Sequence, residues 1–247
     1  MTTLEKVRVV VVGDSGVGKS CAVHLICHNQ VCSNPSYTIG AAVDVKIHEY
    51  KEGTPRQKSY FIELWDVGGS VNHANSRHVF YNQVNGIILV HDLTNRKSLL
   101  NLRKWLGEVL SRENGGGGRS KSSSEYDPEQ FVGCQVPILV LGTKADQVDS
   151  KRQAFLSNTS LIAEECGADE FNLDCLSAKH LAPGSTNSVK LTRFFDKVIF
   201  RRFYQYPARD SPQKVIERRQ VSRESSQFGA NSQDRRRLNS QKSFHMD

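Results

Sequence analysis

The feature that most constrains this chain is a glycine-rich loop between an apolar run and a predicted helix. The loop reads Gly13-Asp14-Ser15-Gly16-Val17-Gly18-Lys19-Ser20, which fits the pattern Gly, four residues, Gly-Lys-Ser/Thr. Residues 7–12 before it predict a buried parallel strand, and residues 19–28 predict a helix. Glycines let successive N–H groups point at phosphate oxygens, and a helix N-terminus adds a positive partial charge. This stretch therefore predicts a phosphate-binding loop.

Two side chains at the end of the loop carry its chemistry. Lys19 can reach the outer phosphates of a nucleotide, and the Ser20 hydroxyl can bind Mg²⁺. The alternative is a chance glycine-rich turn. Because the loop lies between a predicted strand and a predicted helix, we favour the phosphate loop.

The rest of the chain alternates predicted strands and helices. Further strands are predicted at 43–50, 60–65, 84–90, 137–142 and 170–174, and helices at 96–111, 152–166 and 189–203. The strands 43–50 and 60–65 form a hairpin. The pattern predicts an α/β fold with a six-stranded, mostly parallel sheet, one antiparallel edge strand and helices on both faces. Ligands bind such sheets at the carboxyl ends of the strands.

Asp66 follows the strand 60–65 and precedes Gly68 and Gly69. A carboxylate at the end of a strand beside a phosphate loop is placed to hold Mg²⁺ through water. The other interpretation is a simple turn, which would be preferred if the phosphate loop were absent. We therefore predict a magnesium site that includes Asp66.

Composition divides the chain into parts. Its 247 residues, 38% of them hydrophobic, fit one α/β domain, which we place at 1–206. Glycine and serine runs predict a flexible insertion at about 113–135. Residues 207–247 hold nine Lys/Arg and five Asp/Glu, so +4 of the net charge of +7 lies there. We predict a basic, disordered tail, which either contacts anionic partners or is simply solvated.

The sequence also bears on location. The first residues do not form a signal peptide, and no apolar run approaches the ~18 residues of a membrane helix. The six cysteines form no Cys-x-x-Cys pair, which disfavours structural zinc. We expect a cytoplasmic protein with reduced thiols.

Several strings together resemble the small GTPases of the Ras superfamily, nearest to the Rab branch. They are residues 13–20, Tyr37-Thr38-Ile39-Gly40, Trp65-Asp66, residues 86–94, residues 142–146 and Ser177-Ala178-Lys179. Residues 50–55, 65–71 and 189–199 resemble a Rab-like member of that branch. The resemblance covers roughly residues 5–205. It implies the small GTPase fold, with GTP or GDP and Mg²⁺ as cofactors.

The resemblance implies a role for each matching position around the phosphates. The positions that would hold the phosphates are Asp14, Ser15, Gly16, Val17, Gly18, Lys19, Ser20 and Cys21. Mg²⁺ would be held by Ser20 and Asp66, and by Thr38 only when a γ-phosphate is present. The Gly69 N–H would sense the γ-phosphate, so Thr38, Gly69 and Ser70 are the predicted catalytic positions.

A second group of positions would hold guanine. Asp146 would accept hydrogen bonds from the N1–H and the 2-amino group of the base, which adenine cannot supply together. Lys144 would pack along the base, and Ala178 would offer its N–H to the guanine oxygen. Thr143, Ser177 and Lys179 complete the predicted base site.

Three positions depart from the family pattern. Ser70 stands where the family has a water-orienting glutamine, which predicts slow GTP hydrolysis. Thr143 replaces an asparagine, and we expect it to lack the amide that ties the base loop to the phosphate loop. Val31 replaces an aromatic residue that stacks on guanine. The last two predict weak binding and fast exchange, so that the protein loads GTP by mass action.

The last cysteine is Cys175, so we expect no C-terminal lipid anchor and at most weak contact with a membrane surface. The predicted partners are effector or regulator proteins, bound through the segment around Thr38 and the segment from Gly68 to Tyr81.

The alternative function is an interaction scaffold, such as a homodimer, that regulates other small GTPases. A nucleic-acid binder is disfavoured, because few aromatic residues lie among the arginines of the tail.

Overall fold

The computed structural model describes residues 5–113, 135–148 and 160–205. The predicted insertion at 113–135 lies outside the described residues except for its two end positions. The predicted tail at 207–247 and the first eight residues of the helix predicted at 152–166 also lie outside them.

The described strands form a single six-stranded sheet. They are Lys6–Val12 (β1), Ala41–Tyr50 (β2), Lys58–Val67 (β3), Gly86–Asp92 (β4), Ile138–Thr143 (β5) and Asp169–Asn172 (β6). Their order is β2-β3-β1-β4-β5-β6. β2 pairs antiparallel with β3, and the other neighbouring pairs are parallel. The predicted α/β fold with one antiparallel edge strand is confirmed.

Helices cover both faces of the sheet. They are Lys19–His28 (α1), Arg96–Leu100 (α2), Leu102–Glu113 (α3), Leu161–Glu165 (α4) and Thr186–Phe203 (α5). α1 and α5 pack on one face with Val9 and Val11, and α3 and α4 pack on the other face with Val10 and Val12. Successive side chains of β1 point to opposite faces, so its apolar run supplies both cores.

Most predicted boundaries differ from the structure by one to three residues, and two differences bear on the site. The strand predicted at 84–90 is Gly86–Asp92, so it reaches two residues further toward the cleft. The single helix predicted at 96–111 is interrupted at Asn101. The Asn101 side chain donates a hydrogen bond to Asp14 in the phosphate loop, 87 positions away. A contact at that separation leaves no local trace in the sequence.

Among the described residues, none of the helices combines the length and the apolar character that crossing a membrane requires.

Gly86 begins β4 beneath helix α5. A Cβ at this position would lie 2.6 Å from Val198 Cγ2 and 3.2 Å from Phe194 Cζ. Both neighbours are buried in the core, and valine has little rotamer freedom with which to move away. The close packing of α5 on the sheet therefore depends on a glycine here.

We predict that Gly86→Ala lowers the free energy of unfolding by about 1–3 kcal/mol, because the added methyl group overpacks the core. The matched control is Gly107→Ala on α3, where a Cβ would meet nothing within 4 Å. That substitution should raise the free energy of unfolding by about 0.5–1 kcal/mol, since alanine favours a helix. Chemical denaturation of both variants checks this, and equal changes would contradict it.

Candidate functional site

The phosphate loop curls where its glycines allow it. Gly16 and Gly18 have φ angles of 76° and 93°, in the left-handed region that disfavours other residues. At Gly13 the loop leaves β1 so close to β4 that a Cβ would lie 2.1 Å from the Val90 carbonyl oxygen. The positive φ angles at Gly16 and Gly18 and the close approach at Gly13 explain why the loop has glycine at these three positions.

Lys19 lies inside the loop and is 6% exposed. Its Nζ donates to the carbonyl oxygens of Gly13 at 3.0 Å and Asp14 at 2.8 Å. Burial lowers the pKa of Lys19, and the charges of Asp66 and Asp14 oppose that shift. A buried ammonium group at this place is suited to bind a dense negative charge such as a phosphate.

Three oxygen-bearing side chains converge beside the first turn of α1. Ser20 Oγ donates to Asp66 Oδ2 at 2.6 Å, and Thr38 Oγ1 donates to the same oxygen at 2.9 Å. The two hydroxyl oxygens lie 3.0 Å apart. The predicted magnesium residues are thus brought together from α1, β3 and the loop before β2.

The surroundings of the second carboxylate oxygen of Asp66 show whether this cluster suits a cation. Asp66 is 1% exposed, and its Oδ1 is buried with no hydrogen-bond partner among the described residues. A buried oxygen without a partner costs free energy unless something binds it. Carboxylate and hydroxyl oxygens are ligands that Mg²⁺ prefers, so the donor set fits this ion.

Lys19, Ser20 and Thr38 border a cleft of about 450 Å³, and Asp66 lies behind the two hydroxyl groups without lining it. The residues that line it are Ser15, Gly16, Gly18, Lys19, Ser20, Cys21, Pro35, Ser36, Tyr37, Thr38, Gly69 and Lys144. Predicted phosphate, magnesium and base residues are therefore gathered on one surface. Ser70 is not among the lining residues.

Gly68 and Gly69 lie in close contact with the loop that carries Thr38 and with the phosphate loop, respectively. A Cβ on Gly68 would lie 2.6 Å from the Thr38 carbonyl oxygen, and a Cβ on Gly69 would lie 2.6 Å from the Gly13 carbonyl oxygen. Gly68 also donates its N–H to the Gly40 carbonyl at 2.8 Å. The segment after β3 consequently contacts both the phosphate loop and the loop that carries Thr38.

Ser70, a predicted catalytic position, is engaged in local structure. Its Oγ accepts a hydrogen bond from the N–H of Asn72 at 3.3 Å and caps the 3₁₀ turn Val71–His73. Its carbonyl oxygen accepts from Arg77 Nη1 at 2.7 Å. The hydroxyl therefore stabilises a turn in this structure.

Thr143 corrects one prediction. Its side chain was expected to leave the base loop untied from the phosphate loop, but Thr143 Oγ1 donates to the Val17 carbonyl oxygen of that loop. The same hydroxyl lies 2.9 Å from the His91 carbonyl oxygen on β4. Thr143 is fully buried at the end of β5, where a short side chain reaches both carbonyls. A hydroxyl has one proton, so it donates to one of them at a time.

The predicted base residues follow β5 and β6. Lys144 lines the cleft and forms a 2.6 Å ion pair with Asp92 at the end of β4. Burial tends to raise the pKa of Asp92, but the bonds from Lys144 and Thr94 outweigh it, so the pKa is lowered. The side chain of Lys144 is thereby fixed at the edge of the cleft.

Asp146 lies in the exposed 3₁₀ turn Ala145–Gln147, and Ala178 begins the 3₁₀ turn Ala178–Leu181. Cys175, shortly before the second turn, is a partly buried free thiol. Burial raises its pKa to about 12, and Cys21 in the cleft and Asp146 both add to the rise through their charges. The residues lining the cleft do not include Asp146, Ser177, Ala178, Lys179 or Val31.

Sequence reasoning missed the side chains that hold Asp14. Its Oδ1 accepts from Trp105 Nε1 at 2.8 Å, and its Oδ2 accepts from Asn101 Nδ2 at 2.7 Å. Arg77 was also missed, although it is 4% exposed and bonded to Glu108 through two nitrogens. Trp105 could be predicted only as one apolar residue of a helix.

The chain matches the Ras family over residues 8–182. It is 56% identical to Rab-like protein 3 of Bos taurus over 209 residues, which are 83% of this chain and 89% of that protein. The same values hold for Rab-like protein 3 of Homo sapiens. It is 42% identical to the small GTPase-like protein LIP2 of Arabidopsis thaliana over 149 residues, 57% of this chain and 43% of that protein.

The family match covers most of the chain, and the identity to the two mammalian proteins extends over most of both sequences. The phosphate loop follows the carboxyl end of β1, and the hydroxyl groups of Ser20 and Thr38 both contact Asp66 beside it. The chain belongs to the Ras family, as a Rab-like small GTPase.

Proposed function

We propose that this Rab-like small GTPase binds GTP or GDP together with Mg²⁺ in the cleft and acts as a switch that hydrolyses GTP slowly. The observation that carries the proposal is the convergence of Ser20, Thr38 and Asp66, in which Asp66 Oδ1 has no hydrogen-bond partner in the described part of the chain. A bound Mg²⁺ would neutralise charge on the phosphates. Ser20, Thr38 and Asp66 would hold it, and Lys19 would bind the phosphate oxygens beside it.

Thr38 would report which nucleotide is bound. Its hydroxyl contacts only Ser20 and Asp66 among the hydrogen bonds of the described residues, and it belongs to a largely exposed loop. Such a loop is ordered when an extra contact becomes available, and the γ-phosphate with its metal ion supplies that contact.

Guanine would be bound at the ends of β5 and β6. The carboxylate of Asp146 is exposed and accepts hydrogen bonds only, which suits the N1–H and 2-amino donors of guanine. Lys144, held by Asp92, would cover the base with its aliphatic stem. Thr143, Ser177, Ala178 and Lys179 would shape the rest of this site.

Slow hydrolysis follows from the residue at position 70. Catalysis in this class needs a side chain that orients the attacking water. The hydroxyl of Ser70 is short and accepts the N–H of Asn72, so it is poorly placed for that task. We therefore propose that appreciable turnover requires a group supplied by a partner protein.

Protein partners would bind the segments on either side of the cleft. Ile39 and Val71 are 77% and 81% exposed, and Tyr37 and Val79 also present apolar surface. Clustered exposed apolar side chains mark interaction sites. This favours effector or regulator proteins as partners, and it equally suits the second candidate function, a scaffold or homodimer that regulates other small GTPases.

The test of the proposal compares Ser20→Ala with Thr38→Ala. Ser20→Ala should weaken both GDP and a non-hydrolysable GTP analogue by about 10- to 100-fold when Mg²⁺ is present, since a ligand is lost in both states. Thr38→Ala should weaken the analogue by about tenfold and GDP by less than about twofold. Titration with fluorescent nucleotides, with and without EDTA, measures these affinities. If Thr38→Ala weakened both nucleotides equally, Thr38 would not distinguish the two states.

Asp146 is tested with inosine diphosphate, which lacks the 2-amino group of guanine. The unmodified protein should prefer GDP to inosine diphosphate by about tenfold, the value of one hydrogen bond to a charged group. Asp146→Ala should bind both weakly and without preference. The control is Glu164→Ala, an exposed acid on α4, which should keep the preference. Equal discrimination by Asp146→Ala and the control would place guanine elsewhere.

Thr143 is tested by removing only its hydroxyl group. Thr143→Val keeps the shape but removes the one hydroxyl donor that the carbonyl oxygens of Val17 and His91 share. GDP release should then become about tenfold faster, and the free energy of unfolding should fall by about 1–3 kcal/mol. Thr143→Ser keeps the hydroxyl and should release GDP within about threefold of the unmodified rate. Equal release rates for the valine and serine variants would contradict this.

A further inference from the structure

The side chain of Asp14 attaches the phosphate loop to the helices on one face of the sheet. Both carboxylate oxygens are bonded, one to the indole N–H of Trp105 and the other to the amide of Asn101. Asn101 and Trp105 lie one helical turn apart, and the backbone N–H of Trp105 donates to the backbone carbonyl of Asn101 at 3.1 Å. The loop that would bind phosphate is therefore fixed to the start of α3 by two side-chain hydrogen bonds of Asp14.

Arg77 packs on the other side of the same tryptophan. Its Cζ lies 4.3 Å from the centroid of the Trp105 ring. Its Nε and Nη2 each donate to a different oxygen of Glu108 at 2.9 Å. This two-pronged geometry is the strong and directional form of an arginine–carboxylate pair. Arg77 is 4% exposed, so its end of the pair is shielded from water, while the side chain of Glu108 is 25% exposed.

The segment 70–81 is held at both of its ends by this pair. At the beginning, the Ser70 carbonyl oxygen accepts from Arg77 Nη1 at 2.7 Å. At the end, the Tyr81 hydroxyl donates to Glu108 Oε1 at 2.9 Å. We call Asp14, Trp105, Arg77, Glu108 and Tyr81 the Arg77 network. Each of its bonds joins two protein groups, so none needs a nucleotide.

The loop around Thr38 is held differently. Pro35, Ser36 and Tyr37 before it and Ile39 after it are exposed. The two side-chain hydrogen bonds of Thr38 go to the residues that would hold the metal ion. Contacts of this kind depend on what occupies the cleft, whereas those of the Arg77 network do not.

We propose that Arg77, Trp105 and Glu108 are positioning residues that hold segment 70–81 against the phosphate loop in both nucleotide states, so that nucleotide-dependent ordering is confined to the loop around Thr38. This narrows the sequence prediction, in which Thr38 and the Gly69 N–H both respond to the γ-phosphate. The part that concerns nucleotide states rests on the proposed function. The part that concerns the hold on segment 70–81 rests only on the contacts described above.

The first experiment is hydrogen–deuterium exchange on the full chain loaded with GDP or with a non-hydrolysable GTP analogue. Amides in 33–40 should exchange at least about tenfold more slowly with the analogue, and amides in 70–81 should differ by less than about twofold. A change in 70–81 as large as that in 33–40 would overturn the proposal.

The second experiment weakens the Arg77 network without shortening any side chain. Glu108→Gln keeps the side-chain shape but removes the charge that Arg77 and Tyr81 share, so exchange in 70–81 should rise by about tenfold or more. The control is Arg103→Gln, also on α3. It removes a 2.6 Å ion pair between Arg103 and Glu165 of α4. The control should leave exchange in 70–81 within about twofold of the unmodified protein. Equal exchange for Glu108→Gln and the control would contradict the proposal.

A third variant separates the two halves of the network. Trp105→Phe keeps a ring beneath Arg77 but loses the N–H that Asp14 accepts. Exchange in 70–81 should stay within about twofold, while GDP release should become about five- to tenfold faster because the phosphate loop is loosened. A merely structural tryptophan would change both readouts or neither, and either result would overturn the assigned role.

Two measures distinguish a failure of this proposal from a failure of the proposed function and from loss of folding. If the protein binds no nucleotide, the proposed function fails, but exchange in nucleotide-free protein still compares Glu108→Gln with Arg103→Gln. If Glu108→Gln does not fold by circular dichroism, Arg77→Lys carries the test, since lysine keeps the charge but lacks the forked geometry. It should also speed exchange in 70–81 by about tenfold, and an unchanged rate would contradict the proposal.

Discussion

The cleft depends on the close approach of main-chain segments at three glycines. A Cβ on Gly13 would lie 2.1 Å from the Val90 carbonyl oxygen, and Cβ atoms on Gly68 and Gly69 would lie 2.6 Å from the carbonyl oxygens of Thr38 and Gly13. β1, β4 and the segment after β3 therefore meet with no side chain between them. Backbone atoms cannot rotate away as the end of a side chain can, so these distances fix the position of the phosphate loop. The side chains of the site are then placed relative to that frame.

The frame brings oxygen atoms together at a cost in folding free energy. Ser20 and Thr38 both donate to Asp66 Oδ2, and Oδ1 is buried without a partner among the residues that the structure describes. An unsatisfied buried acceptor costs about 1–3 kcal/mol, more when it is charged. A fold selected only for stability would place one hydroxyl on each oxygen. The observed arrangement instead reserves one oxygen, which is what a cation site requires.

The sequence predicted those parts of the site that have a local signature. The glycine spacing identified the phosphate loop, and the order of strands identified the edge of the sheet where Asp66 and Thr143 lie. The contact of Thr143 with the phosphate loop was not predicted, because its acceptor is a carbonyl oxygen 126 positions away. The bond between Asp14 and Trp105 spans 91 positions and was not predicted at all. Long-range side-chain pairs depend on the packing of whole helices, and periodicity does not carry that information.

The two segments beside the cleft have different consequences for recognition. A ligand shifts a conformational equilibrium only by its differential affinity for the two states. The loop around Thr38 is attached through groups that a metal ion and a γ-phosphate would engage, so its conformation can depend on the nucleotide. Segment 70–81 is attached through Arg77 and Glu108, whose bonds join protein groups alone. A partner that binds mainly the first segment would distinguish GTP from GDP, and a partner that binds mainly the second would not. One small domain could in this way serve both as a switch and as a scaffold, with the partner's footprint deciding which.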